Sequence, residues 1–228
     1  HLVSGHLAPH EKLEQEIVAF TGFPRALTFS TDYLANLAVT PTPAARGAAV
    51  FADKLNHASL IDAMQLAKAN GADVQRYPHN DMAALEKMLA ASSPTTKVIV
   101  SDAVFSMDGD LAPLPLLFAL AERYDAWLVI DDAHGFGVLG PHGRGSLAHF
   151  NLPASPRILL MGTLGKAAGV GGAFVAGSVT AIEYLLQKGR SYIFTTAAPP
   201  AIACALSKSL EIIRNGDSLR TSLMARIA

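Results

Sequence analysis

The sequence is poor in cysteine, with Cys204 alone among 228 residues. A single cysteine excludes an intramolecular disulfide and any zinc cluster that needs several cysteines. We predict no metal site. A chain without disulfides fits a reducing compartment, so we expect the protein in the cytoplasm.

An excess of one charge and long apolar runs are also lacking. The formal net charge is −1 and no run of five basic residues occurs. The sequence therefore does not predict a basic surface that would bind nucleic acid or an anionic membrane. No stretch reaches about 18 uninterrupted apolar residues, which argues against a membrane span. The GxxxxGK[ST] signature is absent, and GFGVLGPHGRG contains no GxGxxG between a strand and a long helix, so a nucleotide site is not indicated.

The length suits one sizeable α/β domain or two small ones with a well-filled core. The chain starts at His1 rather than at a methionine, and its last residues, LMARIA, have a helical pattern. The opening segment lacks the basic-then-apolar order of a signal peptide. We therefore expect a single domain over residues 1–228 that is a fragment of a longer protein.

Apolar segments typical of strands alternate with amphipathic segments typical of helices. The strand candidates are RALTF, AAVFAD, DVQRYPH, TKVIVSD, WLVID, RILLMG and GGAFVAGS. This alternation predicts an α/β fold with a mostly parallel central sheet and helices on both faces. For GGAFVAGS we predict an antiparallel edge strand or a hairpin strand.

Polar side chains recur where a predicted strand ends and the next helix begins. The carboxyl ends of parallel strands gather at one edge of an open sheet, where ligands bind, so these side chains are expected together. Two glycine-containing pieces, TLGKAAGVGG and GFGVLGPHGRG, would let a phosphate or a planar ring approach the backbone. The polar set is His57, Asp102, Ser106, Asp131, His134, Thr163 and Lys166.

Each candidate also has an ordinary structural interpretation. Lys166 could be a solvated surface lysine, although its neighbours are glycine and alanine. Asp131 could cap a helix or pair with an arginine. His134 could bond a backbone carbonyl in the core, and His57 could simply begin a helix.

A lysine, a carboxylate and a histidine at one sheet edge suit pyridoxal phosphate (PLP). The lysine can form a Schiff base with the cofactor aldehyde, and the carboxylate keeps the pyridine nitrogen protonated. The protonated ring is then an electron sink for a carbanion at the α-carbon of the substrate. A histidine on the ring face, or bonded to the phenolic oxygen, would tune the ring further.

These residues lie in segments that closely resemble the alpha-oxoamine synthase family of fold-type I PLP enzymes. The segments are HEKLEQEIVAFTG, LNHASLIDA, SDAVFSMDGDLAPL, VIDDAHGFGVLGPHGRGS, MGTLGKAAGVGGAFVAG and IFTTAAPP. They follow the family's order and cover nearly the whole chain. The resemblance implies a PLP-binding large domain, without the amino-terminal segment and the carboxyl-terminal small domain of the family.

The resemblance implies a role for each candidate residue. Lys166 would be the Schiff-base lysine and Asp131 the partner of the pyridinium nitrogen. His134 would bond the phenolic oxygen, and His57 would stack on the ring. The remaining expected contacts are Ser106 and Thr163 with the cofactor or its phosphate, Thr31, Asp32 and Tyr33 with the phosphate, Thr196 with the phosphate in a neighbouring subunit, and His10 at the substrate entrance.

The implied reaction is a decarboxylative condensation of L-alanine with a pimeloyl thioester of coenzyme A or a carrier protein, in biotin biosynthesis. A protonated His57 could assist at the carbonyl or carboxylate, and the implied homodimer would share its active sites. Two alternatives stay open. One is a glycine-using sister, such as 2-amino-3-ketobutyrate ligase or 5-aminolevulinate synthase, and the other is a non-catalytic fragment that keeps the fold.

Two positions depart from the family pattern. Asp32 replaces a glycine of the phosphate loop, and its carboxylate would repel a phosphate unless it turned outward. Asp102 stands where many relatives carry glutamate. The arginine expected to bind the amino-acid carboxylate belongs to the part of the family that lies outside this chain.

Overall fold

A computed structural model describes residues 1–227. Seven strands form one sheet in the order β1-β7-β6-β5-β4-β2-β3. The strands are β1 (Arg25–Phe29), β2 (Ala49–Asp53), β3 (Asp73–Tyr77), β4 (Lys97–Asp102), β5 (Ala126–Asp131), β6 (Ile158–Thr163) and β7 (Ala173–Gly177).

Helices connect these strands and cover the sheet. They are α1 (Ala8–Thr21), α2 (Asp32–Val39), α3 (Ala58–Ala69), α4 (Met82–Ala91), α5 (Leu114–Arg123), α6 (Ser146–His149), α7 (Val179–Lys188), α8 (Arg190–Ile193), α9 (Pro200–Asn215) and α10 (Asp217–Ile227), with a 3-10 turn at Pro141–Gly143. The predicted alternation of strands and helices is confirmed, whereas the four-residue helices α6 and α8 were not predicted. Among the described residues, no helix is long and apolar enough to cross a membrane.

The sheet is mostly parallel, as predicted. Strands β3, β2, β4, β5 and β6 pair in parallel, and β7 runs antiparallel to both β6 and β1. The prediction of an antiparallel strand at GGAFVAGS is therefore confirmed in its hairpin form, because β7 pairs with the preceding strand β6, whereas the edge alternative is wrong. The apolar strand β1 pairs along the whole of β7 and becomes the edge instead.

Two apolar cores lie on the two faces of the sheet. Alternate residues of each strand point to opposite faces, so Ile99 joins the core under α1, α4, α5 and α9. Its neighbours Val98 and Val100 join the core under α2, α3 and α7. Full burial of each such aliphatic side chain contributes about 1.5–3 kcal/mol. The buried faces fix the register of the sheet, which in turn fixes the strand ends that carry the polar residues.

Candidate active site at the carboxyl edge of the sheet

The strand register brings the predicted acidic residues to one edge of the sheet. Asp102 ends β4 and Asp131 ends β5, and the two residues are direct partners in the β4–β5 ladder. Asp131 is also opposite Met161 of β6, two residues before Thr163. The prediction that these strand ends meet is confirmed.

Asp131 is a buried carboxylate, with 3% of its surface exposed. Its Oδ2 accepts a hydrogen bond from Asn36 Nδ2 at 2.7 Å, and its Oδ1 accepts one from the backbone N–H of Ala133 at 2.9 Å. Burial raises the pKa of Asp131, while the two hydrogen bonds and the nearby charges of Lys166 and His57 oppose the rise. A cation placed against this carboxylate would stabilise its ionised form.

Asp102 is a second buried acid beside Asp131. Its Oδ2 accepts from the backbone N–H of His57 at 2.7 Å, and Asn56 Oδ1 accepts from its backbone N–H at 3.1 Å. Burial and the charge of Asp131 raise the pKa of Asp102 to about 8, against the opposing bond from His57. Asp102 is therefore mostly protonated at neutral pH, and it fixes the backbone at His57.

The raised pKa of Asp102 makes the stability of the cofactor-free chain depend on pH. Between its unfolded value of 3.8 and its folded value of about 8, the folded chain binds more protons, so stability falls as pH rises. Asp102→Asn mimics the protonated acid and should make the fall in Tm from about pH 5 to about pH 8 smaller by about 10 °C. Differential scanning calorimetry measures this change. The exposed control Asp108→Asn should keep the wild-type slope, and an unchanged slope in Asp102→Asn would contradict the assignment.

The two histidines lie at the same edge. His57 is the N-cap of α3, and its Nδ1 lies 2.7 Å from Ser59 Oγ, while most of the side chain stays exposed. His134 follows β5 and is half-buried. Burial lowers the pKa of His134, the positive charges of Lys166 and His57 lower it further, and Asp32 opposes them. Lys166, His57 and Asp32 therefore lie near enough to His134 to shift its pKa.

Lys166 lies in the loop that connects β6 to β7. This loop is closed by backbone bonds from Leu164 N–H to the Gly172 carbonyl at 2.8 Å and from Gly169 N–H to the Lys166 carbonyl at 2.9 Å. The Lys166 side chain is exposed, whereas Thr163 at the base of the loop is buried. Thr163 Oγ1 donates to the Gly172 carbonyl at 3.3 Å and accepts from Gly165 N–H at 3.4 Å. The amine is therefore exposed on a loop whose base is fixed by hydrogen bonds.

The predicted phosphate loop is the start of α2, where two of the helix N–H groups already have partners. Thr31 caps the helix by accepting from the Leu34 N–H at 3.2 Å. Asp32 Oδ1 accepts from the Tyr33 N–H at 2.7 Å, and the Tyr33 hydroxyl donates to Asp62 at 2.8 Å. The Asp32 carboxylate therefore occupies a donor at the helix start, where the positive end of the helix dipole attracts an anion.

Ser106, Thr196 and His10 are the remaining predicted residues, and the Thr196 carbonyl accepts a hydrogen bond from Ser30 Oγ at 3.2 Å, next to the start of α2. Ser106 and Thr196 are exposed. His10 is buried in α1, where its Nδ1 accepts from the Leu7 N–H at 3.1 Å and its Nε2 lies 2.7 Å from the Ala198 carbonyl. His10 lines a largely apolar cavity of about 320 Å³ that also reaches Leu164 and Gly172 of the Lys166 loop. Its role at a substrate entrance stays a prediction.

The glycine-rich segment GFGVLGPHGRG differs from expectation in what it approaches. An added β-carbon at Gly135 or Gly145 would lie 2.2 Å from an oxygen of Asp132, and one at Gly137 would lie 2.6 Å from Ala167. The close approach is therefore to a buried carboxylate and to the Lys166 loop, rather than to a phosphate or a ring. The segment therefore packs against Asp132 and the Lys166 loop and helps to hold them in place.

Asp132, Asn36 and Ser59 are buried polar residues that sequence analysis missed. Asp132 accepts from the Ser146 N–H at 2.9 Å and from its hydroxyl at 2.5 Å, and burial raises the pKa of Asp132 to about 7. Asn36 donates to both Asp131 and Ser59. Two consecutive aspartates at the end of β5 could have identified Asp132 as a site residue. No local sequence pattern identifies Asn36 or Ser59.

The chain is similar to known proteins over its whole length. The model of the aminotransferase class I and II family matches residues 3–228. The 8-amino-7-oxononanoate synthase of Dechloromonas aromatica is 86% identical over all of this chain and 59% of its own length. The enzyme of the same name from Herminiimonas arsenicoxydans is 61% identical, again over 59% of its length. The chain therefore spans about three fifths of these relatives.

Solved structures give the same result for the fold. A serine palmitoyltransferase from S. paucimobilis, described with a bound PLP–myriocin aldimine, superposes with a TM-score of 0.91 at 32% identity, covering 99% of this chain and 56% of its own. The 8-amino-7-oxononanoate synthase of Francisella tularensis gives 0.83 at 34% identity, covering 94% and 61%. These matches confirm the predicted fold class and the resemblance to the alpha-oxoamine synthases. The chain belongs to the aminotransferase class I and II family.

Proposed function

We propose that this chain is the PLP-binding large domain of an 8-amino-7-oxononanoate synthase. Such an enzyme condenses L-alanine with a pimeloyl thioester and gives 8-amino-7-oxononanoate, carbon dioxide and the free thiol carrier, in biotin biosynthesis. The observation that carries the proposal is the 86% identity to a synthase of that name across the whole chain. We place the enzyme in the cytoplasm, which its single cysteine suits.

The residues at the sheet edge fit PLP. Asp131 is a buried acid whose pKa is raised by burial, and a protonated pyridine nitrogen is a cation that would relieve the cost of ionising it. Lys166 offers an exposed amine near the same group. When bound, PLP would supply an electron sink for the α-carbon of the amino acid. Thr31 and Tyr33 would hold the phosphate, with Asp32 displaced from the Tyr33 N–H.

The chain's own residues then have separate tasks. Lys166 would hold the cofactor through its Nζ and, once released by the incoming alanine, take the proton from the α-carbon. Asp131 would keep the ring nitrogen protonated, and Asn36 would keep its Oδ2 in place. His134, whose pKa is lowered by burial and by neighbouring positive charges, would be a neutral hydrogen-bond donor to the phenolic oxygen.

The remaining candidates would complete the site from its rim. His57 would lie on the ring face, and Ser106 and Thr163 would contact the cofactor. His10 lines the apolar cavity beside the Lys166 loop, where it would border the route of the pimeloyl chain. Thr196 would reach the phosphate in the neighbouring subunit of a homodimer, so that each active site is shared.

A substrate panel tests the proposal. The complete enzyme should turn over L-alanine with a pimeloyl thioester at least about 100-fold more efficiently, in kcat/KM, than glycine with an acetyl or succinyl thioester, a ratio typical of discrimination by one methyl group and chain length. L-serine with a palmitoyl thioester belongs in the panel because serine palmitoyltransferases share the fold. A preference for glycine or serine would replace the proposal by a sister synthase. A folded chain that binds PLP but condenses no pair would indicate a non-catalytic fragment.

A further inference from the structure

A buried chain of hydrogen bonds joins Asp131 to His57. Asn36 Nδ2 donates to Asp131 Oδ2 at 2.7 Å and to Ser59 Oγ at 2.8 Å. Ser59 Oγ in turn lies 2.7 Å from His57 Nδ1. Asn36 has no exposed surface and Ser59 only 1%, so water does not compete for the two bonds that Asn36 donates. This series of hydrogen bonds runs from the end of β5 through α2 to the first turn of α3.

The direction of each bond follows from the donors available. An amide nitrogen can only donate, so Ser59 Oγ accepts from Asn36 and keeps its single hydrogen for His57. The backbone N–H of Ser59 points at the same Nδ1 atom at 3.3 Å. A hydrogen on Nδ1 would point at the hydrogen of this N–H group, which places a donor against a donor. His57 Nδ1 must therefore be an acceptor.

The orientation of the Asn36 amide is fixed as well. Turned over, its Oδ1 would replace the amide nitrogen opposite Asp131 Oδ2, and both Asp131 and Ser59 would lose their donor from Asn36. In the present orientation Oδ1 has no hydrogen-bond partner among the described residues. The fold leaves this oxygen unsatisfied and uses both amide hydrogens, which indicates that the donors are what the site requires.

We propose that Asn36 and Ser59 are positioning residues that hold the neutral imidazole of His57 as the tautomer with its proton on Nε2. The importance of this tautomer for catalysis rests on the proposed function. The neutral form of His57 then presents its Nε2–H group to the substrate, while Nδ1 stays bonded to Ser59. The same asparagine fixes the Asp131 carboxylate, so one side chain sets the spacing between the residue at the ring nitrogen and the residue at the ring face.

The tautomer is measurable by nuclear magnetic resonance. Two-bond ¹H–¹⁵N spectra of the chain with ¹⁵N-labelled histidine, without and with PLP, distinguish Nδ1–H from Nε2–H in each of its eight histidines. The His57→Asn variant assigns the His57 signal. We expect the Nε2–H form in the wild type. Ser59→Ala, which removes one neutral hydrogen bond, should raise the proportion of Nδ1–H by about fivefold.

Ser178→Ala is the matched control. Ser178 caps α7 by accepting from the Ala181 N–H, so its loss costs a similar hydrogen bond without touching His57. The control should leave the His57 pattern unchanged. A wild type dominated by Nδ1–H, or a Ser59→Ala spectrum equal to that of the control, would overturn the proposal. The cofactor-free spectrum needs neither PLP nor substrate, so it succeeds or fails independently of the proposed function.

Discussion

Lys166→Ala should abolish condensation, with a loss of about 10³-fold or more in kcat, because the variant has neither a covalent anchor for PLP nor a base for the α-carbon proton. Lys166 is an exposed side chain in a loop closed by backbone bonds, so the fold and its Tm should be unchanged. Steady-state kinetics on the complete enzyme, together with circular dichroism, measure both. Added methylamine should restore part of the activity if the missing group is an amine.

Lys87→Ala is the control for this experiment, since Lys87 is an exposed lysine on α4. It should keep wild-type kinetics. Activity of Lys166→Ala within tenfold of the wild type would show that another group moves the proton.

Asp131→Asn should lower kcat by about 10²–10³-fold, because removal of a preorganised electrostatic group that stabilises developing charge has losses of that size. The substitution keeps the size of the side chain and still accepts from Ala133. Its new amide would face the amide nitrogen of Asn36, which donates to Asp131 in the wild type. PLP affinity should fall as well, which an absorbance titration measures.

Asp102→Asn is the matched comparison, since Asp102 pairs with Asp131 in the sheet register and is also buried. Burial and the Asp131 charge raise the pKa of Asp102 to about 8, so its amide variant changes little charge at neutral pH. We expect Asp102→Asn to lose far less activity than Asp131→Asn. Equal losses in the two variants would mean that Asp131 has no special relation to the cofactor nitrogen.

The sequence was sufficient to predict the sheet edge that carries the site. Apolar runs that end in Asp102 and Asp131 could only be strands with polar carboxyl ends, and the parallel connections then brought those ends together. Lys166 followed from the same logic because it comes just after the apolar run of β6. Local pattern and chain order are enough for such residues.

Other features depend on contacts between distant parts of the chain. β1 rather than β7 is the edge strand, because β1 pairs with β7 on its outer side. No local pattern in the sequence specifies that pairing. Asn36 and Ser59 meet only because α2 packs beside α3 under the same face of the sheet. Gly135 and Gly145 appeared suited to a ligand, yet their small size makes room for Asp132.

If this chain holds PLP through Lys166, the bond can be trapped chemically. The purified chain is incubated with PLP and reduced with borohydride, and the modified peptide is mapped by mass spectrometry. We expect one phosphopyridoxyl group per chain, on Lys166, and its loss in Lys166→Ala. Modification of a different lysine, or no stable modification of a folded chain, would contradict it.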